Sequence, residues 1–572
     1  MIYENRKKDI IYPIVLGVVL IIGIIIGFKI NKGSGRTSLL VNPKTDKLTS
    51  VLKYIEDDYV DTVGIGQLVE LTLPAVLKNL DPHSIYIPAK EFQGMNEPLE
   101  GGFDGIGVQY NMPNDTVIVI SPVKGGPSER LGVLSGDRII KINGKTVAGV
   151  KFPADSIPKL LKGTTGTKVK IGVKRKGVNE LIDFDIIRDK IPIYSVDVSY
   201  MPSNDIGYIK INTFSKTTYQ EFLKANEKLK GYGMKKLIVD LRGNTGGYMD
   251  AATNIADEFL DSTRLIVYTQ GKSRSRQNIY SNPGGECINE KVIILIDEFA
   301  ASASEILAGA IQDNDRGTII GRRSFGKGLV QEQVYFKDGS ALRLTTARYY
   351  TPSGRSIQKP YSSGNDDNYF NDISNRFQHG EFQQVDSIKF TDSLKYYTSK
   401  GRIVYGGGGI MPDVFIPLDT NGISPYLTKV ANRNLIYRFA FDFTERHRNE
   451  VRGIKEFESV KNYLNGFNLL SEFIAFAERN GIPANQRQIS HSKLIIETQI
   501  KAVIARNIID EDGFYPFILE IDETLKKAIE YFNKKELSSE EVSMLSPKLS
   551  IQGWIRAQLK TTARKDLVSH SA

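Results

Sequence analysis

Residues 299–331 read FAASASEILAGAIQDNDRGTIIGRRSFGKGLVQ, and this stretch decides how the chain is organised. It follows an apolar run, residues 292–296 (VIILI), whose length and composition predict a buried strand. Small residues surround Ser302, and an apolar pattern typical of a helix begins just after it. Ser302 is therefore predicted to lie at a strand-to-helix turn, at the positive end of a helix. Such a turn exposes a nucleophile and stabilises developing negative charge.

Taken alone, the same stretch has a purely structural interpretation. Ser302 and Glu305 fit a capping box, in which each side chain bonds the other residue's backbone. The Gly-Lys-Gly at residues 326–328 fits a surface turn. It is not a phosphate-binding loop, because the G-x-x-x-x-G-K-[ST] spacing is missing.

The complete string resembles the carboxyl-terminal processing proteases, a family of membrane-tethered Ser-Lys peptidases that contain a PDZ domain. That family carries S-A-S-E, then Q-D, then F-G-K-G-x-V-Q, and all three motifs occur here in that order, starting at Ser302, Gln312 and Phe325. The resemblance extends over most of residues 48–418. The remaining ~150 residues lie outside it, a length typical of one further domain.

Catalytic roles follow from this resemblance. It implies that Ser302 is the nucleophile, that Lys327, 25 residues later, is the general base, and that Gln331 orients the lysine amine. Lys327 must be uncharged to accept the serine proton, so burial has to lower its pKa from the ordinary value of about 10.4. Asp313 is interpreted as a helix-end residue near Arg316, not as a base.

A second glycine-rich loop, residues 242–247 (RGNTGG), joins a predicted buried strand to a predicted helix. Such a loop offers free N–H groups, which suit either an anion site or a tight turn. The resemblance to D-L-R-x-N-x-G-G implies that it forms half of an oxyanion hole. We assign Gly246 there, with Gly247 as the neighbouring alternative, and Ala303 as the second amide.

Composition excludes several other classes of protein. The chain has 572 residues and a net charge of +9 without a dense basic tract, so nucleic-acid binding is not predicted. The single Cys287 excludes an internal disulfide, and no cofactor or metal site is predicted. The five histidines avoid the catalytic stretches, which favours Lys over His as the base. His83 is interpreted as structural, because nothing in the sequence places it near Ser302.

Residues 10–28 are almost wholly apolar and long enough to span a bilayer. Basic residues precede them and no A-x-A-like cleavage site follows, which favours an uncleaved signal anchor. We therefore predict a single-pass protein of the inner (cytoplasmic) membrane. Its catalytic part is expected on the periplasmic, or extracytoplasmic, side.

Residues 101–190 contain several short runs with an alternating or apolar pattern, which predicts short strands, and Asn143-Gly144 predicts a hairpin turn. The run at residues 132–144 resembles the PDZ signature. Gly105, Ile106, Gly107 and Val108 match the carboxylate-binding loop of such domains, whose backbone N–H groups hold the end of a peptide added as a strand.

The predicted fold is α/β (α+β). It comprises a cytoplasmic tip and transmembrane signal anchor (1–36), a helical segment (40–100), the β-rich PDZ domain (101–190), a protease core (191–420) and a helical C-terminal domain (421–572). The resemblance implies a crotonase-like ββα core. Residues 360–400 are polar and are predicted to be an inserted surface excursion. Aromatic residues at helical spacing after residue 424 are interpreted as core positions.

The predicted function is a membrane-tethered serine endopeptidase that captures polypeptide C-termini through its PDZ domain. Its partners are predicted to be polypeptides with free, apolar C-termini, with a homo-oligomer or an adaptor left open. Two alternatives remain, a non-catalytic PDZ scaffold that binds protein tails and a crotonase-like acyl-thioester enzyme.

Overall fold

A computed structural model describes residues 17–23, 47–112, 115–362, 364, 366–388 and 392–534. The chain divides into two compact units, Met1–Val76 and Leu77–Ala572. The predicted membrane anchor lies outside the described residues except for residues 17–23, which are helical. Among the described helices, none combines the length and the apolar character needed to cross a bilayer.

The described residues contain strands throughout the middle of the chain. These strands are β1 (Ile85–Ile87), β2 (Gly102–Gly105), β3 (Val108–Asn111), β4 (Val117–Pro122), β5 (Arg138–Ile142), β6 (Lys145–Thr146), β7 (Lys168–Lys174), β8 (Ile182–Ile187), β9 (Asp189–Pro192), β10 (Val196–Ser203), β11 (Ile206–Ile211), β12 (Lys236–Asp240), β13 (Leu265–Gln270), β14 (Gln277–Tyr280), β15 (Lys291–Ile296), β16 (Thr318–Gly321), β17 (Leu329–Tyr335), β18 (Ala341–Tyr350), β19 (Lys395–Tyr397), β20 (Ile403–Tyr405) and β21 (Val414–Phe415).

Helices dominate the two ends of the described chain. They are α1 (Lys47–Asp58), α2 (Ile65–Leu77), α3 (Ala89–Glu100), α4 (Pro127–Arg130), α5 (Ser156–Leu161), α6 (Thr218–Gly231), α7 (Met249–Asp257), α8 (Ala303–Asp313), α9 (Asp366–Phe370), α10 (Asp372–Gln378), α11 (Pro425–Asn432), α12 (Leu435–Arg446), α13 (Arg448–Val451), α14 (Phe457–Leu464), α15 (Leu469–Arg479), α16 (Gln486–Ile509), α17 (Glu511–Ile518) and α18 (Glu523–Asn533).

A six-stranded sheet, in the order β10-β11-β12-β15-β16-β21, forms the centre of the second unit. Strands β11, β12, β15, β16 and β21 run parallel, and β10 is antiparallel to β11. The inner strands are nearly continuous apolar runs, which is the pattern of parallel strands covered on both faces. The sheet is therefore a buried layer, and its functional groups must lie at the strand ends.

Different parts of the chain cover the two faces of this sheet. Helices α6, α7 and α8 pack on one face, where Val292, Ile294 and Ile296 of β15 point. The alternate residues Ile293 and Leu295 point to the other face and pack against residues of the 515–532 region, which belongs to the helical C-terminal part. The C-terminal helices thus complete the second layer that the sheet requires.

The same C-terminal region makes polar contacts with the sheet. Arg242, which follows β12, pairs with Asp240 at 2.6 Å and with Asp522 at 2.7 Å. The Tyr515 hydroxyl donates to Asp197 at 2.5 Å. Further along the C-terminal part, Phe439 and Phe473 are buried in its own core, as their helical spacing predicted.

Two larger and two two-stranded sheets accompany the central one, the pair β19-β20 being one of the small ones. The PDZ region forms the order β3-β4-β5-β7-β8 with β6 on β5, and β2 pairs with β9 where this region joins the rest of the chain. The second sheet has the order β1-β18-β13-β14, with β17 also paired to β18. The mixed α/β architecture and the helical C-terminal region predicted from the sequence are thereby confirmed.

One expectation is wrong in part. Residues 360–400 were predicted as a surface excursion, but Tyr369, Arg376 and Phe382 are buried. The reason is that α9, α10 and the turn after them pack against the chain around residue 325, through ring contacts and ion pairs that a local polar composition does not reveal.

Candidate active site

Three neighbouring parallel strands bring the candidate residues together. The glycine loop follows β12, the Ser302 turn follows β15, and the loop containing Lys327 follows β16. In these adjacent strands Asp240 aligns with Leu295, and Ile296 aligns with Gly321. Because parallel strands end at the same edge of a sheet, all three loops meet in one place, where open α/β sheets bind their ligands.

Ser302 occupies a strained backbone conformation, with φ of +55° and ψ of −114°. A positive φ is uncommon for a residue with a side chain and costs on the order of 1–3 kcal/mol where the surroundings enforce it. The next residue, Ala303, begins helix α8, and no acceptor for its N–H occurs among the described residues. The turn therefore presents a hydroxyl beside an unused amide.

The glycine loop lies directly against this turn. A Cβ placed on Gly246 would be 2.7 Å from the Ser302 Cβ and 3.0 Å from the Ala303 nitrogen, so only glycine fits there. The buried Asn244 ties the two loops together, because its carbonyl oxygen accepts from Ala301 N at 3.0 Å and from Ser304 Oγ at 2.9 Å.

The structure favours a different oxyanion-hole amide in this loop from Gly246, which the sequence analysis assigned first. The Gly246 N–H donates to Asn244 Oδ1 at 2.8 Å and is therefore occupied within the loop. For the Gly247 N–H, in contrast, the described part of the chain offers no acceptor. The geometry thus favours Gly247, the neighbouring alternative, as the amide available beside that of Ala303.

Lys327 is partly buried, and among the described hydrogen bonds its amine Nζ donates to Gln331 Oε1 at 3.2 Å. Burial, with a smaller contribution from the nearby Arg343, lowers the pKa of this amine to about 8. Glu305 and Asp81 act in the opposite direction. The lysine can therefore exchange a proton near neutral pH, which an ordinary exposed lysine cannot do.

A buried carboxylate joins the serine turn to the lysine loop. Glu305 accepts hydrogen bonds from the backbone N–H groups of Ser302 at 2.9 Å, Gly326 at 2.8 Å and Lys327 at 2.8 Å, and from the Ser324 hydroxyl. Burial raises the pKa of the Glu305 carboxyl to about 7, and these four hydrogen bonds oppose the rise. Glu305 thus does more than cap a helix, because it fixes two loops relative to each other.

Tyr349 makes a second link between the same loops. Its hydroxyl lies 3.0 Å from the Ser302 carbonyl oxygen and 2.7 Å from the Lys327 carbonyl oxygen, so it can donate to either. Within the described hydrogen bonds, none joins Ser302 Oγ to Lys327 Nζ. The two side chains are held by a shared frame, and a catalytic hydrogen bond of this kind often tightens only when substrate is bound.

His83 lies close to this frame, a position that no local sequence pattern predicts. Its carbonyl oxygen accepts from Gln331 Nε2, and its ring lies 3.0 Å from the Tyr369 hydroxyl. Burial lowers the pKa of His83 to about 3, and the positive charge of Lys327 lowers it too. The imidazole is therefore neutral, and it acts as packing and a hydrogen-bond partner around the lysine.

Asp313 is a helix-end residue, as expected, but its partner is not Arg316. It forms a fully buried ion pair with Arg355 at 2.7 Å. Arg316 instead donates to backbone carbonyls, including that of Phe259 at 2.6 Å. Arg355 lies 42 residues from Asp313 along the chain, so local spacing could not have identified it.

The PDZ region contains the predicted loop of residues 105–108. The Ile106 carbonyl accepts from Ser128 Oγ at 2.6 Å, and the Gly107 carbonyl accepts from Val123 N at 2.9 Å, which turns the loop at a positive φ of +70°. Strand β3 begins at Val108 and lies at the edge of its sheet, and within the described part of the chain its other side pairs with no strand. An unpaired strand edge of this kind suits the addition of a peptide strand.

Comparison with known proteins gives three matches along the chain. Residues 205–364 match the model of peptidase family S41, residues 105–186 match the PDZ domain, and residues 426–510 match a family of unknown function (DUF8443). Among the residues that the structure describes, there is no cluster of three or more His, Cys, Asp or Glu side chains that could hold a metal ion.

Curated relatives agree with these matches. The carboxy-terminal-processing protease of Bartonella bacilliformis is 37% identical over 318 residues, which cover 54% of this chain and 71% of that protein. The carboxy-terminal processing protease CtpA of Bacillus subtilis is 35% identical over 317 residues, 55% of this chain and 67% of the relative. A solved structure, the photosystem II D1 C-terminal processing protease, is 26% identical, covering 54% of this chain and 89% of that one, with a low TM-score of 0.31.

The crowding at Gly246 predicts a measurable cost for adding one methyl group. Gly246→Ala would place a Cβ against Ser302 and a backbone carbonyl at a φ of +102°. Gly243→Ala is the matched control, because Gly243 also has a positive φ, +73°, but open space around its Cα. We expect Gly246→Ala to lower the free energy of unfolding in urea by about 1–3 kcal/mol more than Gly243→Ala. Equal losses would contradict the close approach of the two loops.

Proposed function

The chain belongs to peptidase family S41 and is a serine-type C-terminal processing peptidase with a PDZ domain, and on this basis we propose that it cleaves polypeptides with a Ser302–Lys327 dyad while tethered to a membrane. The observation that carries the proposal is that three parallel strands end at one edge of the sheet, where a glycine loop, a strained serine and a partly buried lysine follow them.

Lys327 acts as the general base in this proposal. With a pKa near 8, a useful fraction of its amine is uncharged at neutral pH, and the Gln331 oxygen holds it in place. The amine removes the proton from Ser302 Oγ as that oxygen forms a bond to the carbonyl carbon of the substrate. The same proton then passes to the leaving amine when the peptide C–N bond breaks, and water releases the acyl group by the reverse sequence.

The tetrahedral intermediate needs donors for its oxyanion. The N–H groups of Ala303 and of Gly247, neither of which has an acceptor within the described residues, supply them, with Gly246 allowing the loop to approach the serine. Each donor of this kind contributes about 10²–10³ in kcat in other proteases. Ala303 also starts helix α8, whose N-terminal partial charge favours an anion.

Removal of either member of the dyad should abolish turnover. We expect Ser302→Ala and Lys327→Ala to lose cleavage of an unfolded protein substrate, and only Ser302→Ala to lose all labelling by a serine-acylating probe. The exposed Lys337→Ala is the matched control and should retain full activity. In the wild type, kcat/KM should rise with pH through about 8, because the protonated lysine cannot accept a proton, and fall at pH 6 to about one hundredth of its plateau.

Two results would overturn the dyad. One is near-normal cleavage by Lys327→Ala, and the other is a flat pH profile between pH 6 and 9. Intact tail binding with no cleavage by the wild type would instead favour the non-catalytic PDZ scaffold. Turnover of an acyl thioester in place of a polypeptide would favour the crotonase-like alternative.

Capture of the substrate by its C-terminus is assigned to the PDZ loop of residues 105–108 and the free edge of β3. The loop presents backbone to a terminal carboxylate, and the strand edge pairs with the residues before it. The loop and the edge of β3 would hold the C-terminus of the polypeptide while another part of the same polypeptide reaches Ser302. Apolar side chains at the end of the polypeptide would fit the buried surroundings of Ile106.

A matched pair of peptides tests this capture. We expect an apolar-ended peptide with a free C-terminus to bind the inactive Ser302→Ala chain at least tenfold more tightly than the same peptide with an amidated C-terminus, measured by fluorescence anisotropy. The reason is that the amide removes the negative charge that the loop N–H groups recognise. Equal affinity of the two peptides would show that the loop does not recognise the C-terminal carboxylate.

Membrane tethering rests on the sequence of residues 10–28, with the catalytic part outside the cytoplasm. We expect the full chain to sediment with membranes and to resist extraction by high salt, whereas a chain that lacks residues 1–36 stays in the supernatant. The catalytic part of the full chain should be digested when protease is added from the extracytoplasmic side. Equal sedimentation of both chains, or protection of the catalytic part, would contradict the tether or its orientation.

A further inference from the structure

The inserted segment of residues 366–382, here called the cover segment, is folded onto the loop that carries Lys327. Its Tyr369 is only 3% exposed, and its ring lies 5.7 Å from that of Phe325 in an edge-on arrangement. Further along the segment, Arg376 of α10 donates to the carbonyl oxygen of Ser324 at 3.0 Å. The cover segment is thus attached at two points to residues just before Lys327.

Polar contacts on the ring and on the backbone of His83 link the cover segment to the lysine amine. The Tyr369 hydroxyl lies 3.0 Å from His83 Nε2. The His83 carbonyl oxygen accepts from Gln331 Nε2, and Gln331 Oε1 accepts from Lys327 Nζ at 3.2 Å. One side of Gln331 is therefore held by the cover segment through His83, and its other side holds the amine.

A neighbouring amide leaves the Tyr369 proton available for His83. Gln358 Oε1 accepts from Gly328 N at 2.8 Å, so Gln358 Nε2, at 3.3 Å, must be the donor to the Tyr369 oxygen. The single Tyr369 proton is then free to be donated to His83 Nε2. A proton acceptor at Nε2 has to be a neutral imidazole, which agrees with the lowered pKa of His83.

We propose that the cover segment controls the general base, and that Tyr369 is the positioning residue through which it does so. Tyr369 holds His83, and through it Gln331, in the arrangement that orients the Lys327 amine, and its ring packs on Phe325 and so adds to the burial of the loop that carries Lys327. This inference rests on the proposed Ser302–Lys327 dyad. It gives a role to a segment that composition alone describes as a polar surface excursion.

Several charges face the lysine from the surrounding elements. Arg343 on β18 disfavours the protonated amine, while Glu305 on α8 and Asp81 before β1 favour it. Lys359 adds a further cation beside the cover segment, with its Nζ 3.8 Å from the Phe325 ring centre and 4.3 Å from that of Tyr369. Burial is the largest influence on the Lys327 amine, so admitting water should dominate over any change in these charges.

The test compares Tyr369→Ala and Tyr369→Phe with the wild type in the pH dependence of kcat/KM for an unfolded protein substrate. Tyr369→Ala removes the ring and admits water, so we expect the apparent pKa of the activity rise to increase by about one unit. Activity at pH 7 should then fall about tenfold and recover at pH 10. Tyr369→Phe keeps the ring and loses only the hydroxyl, so its shift should be smaller and in the same direction.

Tyr397→Ala is the matched control, because Tyr397 lies in the same insertion but is 59% exposed. Its pH profile should equal that of the wild type. A second readout does not depend on turnover: in Ser302→Ala chains, the pH dependence of acetylation at Lys327, followed by mass spectrometry, reports the pKa of the amine directly. Thermal unfolding shows whether each variant is folded.

Two outcomes would overturn the role of Tyr369. The first is an activity loss of equal size at every pH, which indicates a general structural defect. The second is an unchanged Lys327 acetylation profile in a folded Tyr369→Ala chain. Either result would leave the dyad itself standing, because the dyad is tested by cleavage in Lys327→Ala and Ser302→Ala and by the pH profile of the wild type.

Discussion

The site depends on one buried carboxylate. Glu305 receives three backbone amides and a hydroxyl, and these donors come from the serine turn on one side and the lysine loop on the other. Removing such an acceptor would leave several buried donors without partners, each at a cost of about 1–3 kcal/mol. The same carboxylate adds negative charge near the Lys327 amine. Its geometric role and its electrostatic role therefore oppose each other, and burial of the lysine has to outweigh the second.

The fold explains why so short a list of residues is enough to build the site. Because β12, β15 and β16 are adjacent and parallel, the loops that follow them lie together at the carboxyl edge of the sheet. The strain at Ser302 and the absence of a side chain at Gly246 then set how closely two of those loops approach. Strain of this kind persists only when the surrounding structure enforces it, and here Asn244, Glu305 and Tyr349 all act on the same few atoms.

The sequence predicted what local pattern can encode. Apolar runs identified β12 and β15, small residues identified the Ser302 turn, and glycines identified the loop that packs on it. It could not identify contacts between residues far apart in the chain. In the sequence Glu305 resembles an ordinary helix cap, and only the structure shows that the Gly326 and Lys327 amides donate to it. Likewise, the residues around His83 in the sequence do not predict that its carbonyl oxygen accepts from Gln331. The buried part of the insertion was missed for the same reason, since a polar segment becomes buried only through partners elsewhere.

The C-terminal helices have a consequence for the order in which the molecule can be made. Ile293 and Leu295 of β15 are shielded by residues of the 515–532 region, and Arg242, beside the glycine loop, is neutralised in part by Asp522. A nascent chain therefore contains Ser302, Lys327 and the glycine loop well before it contains the residues that cover this face of the sheet. Because the chain is synthesised from its N-terminus, that covering layer is completed only after residues 515–532 have emerged.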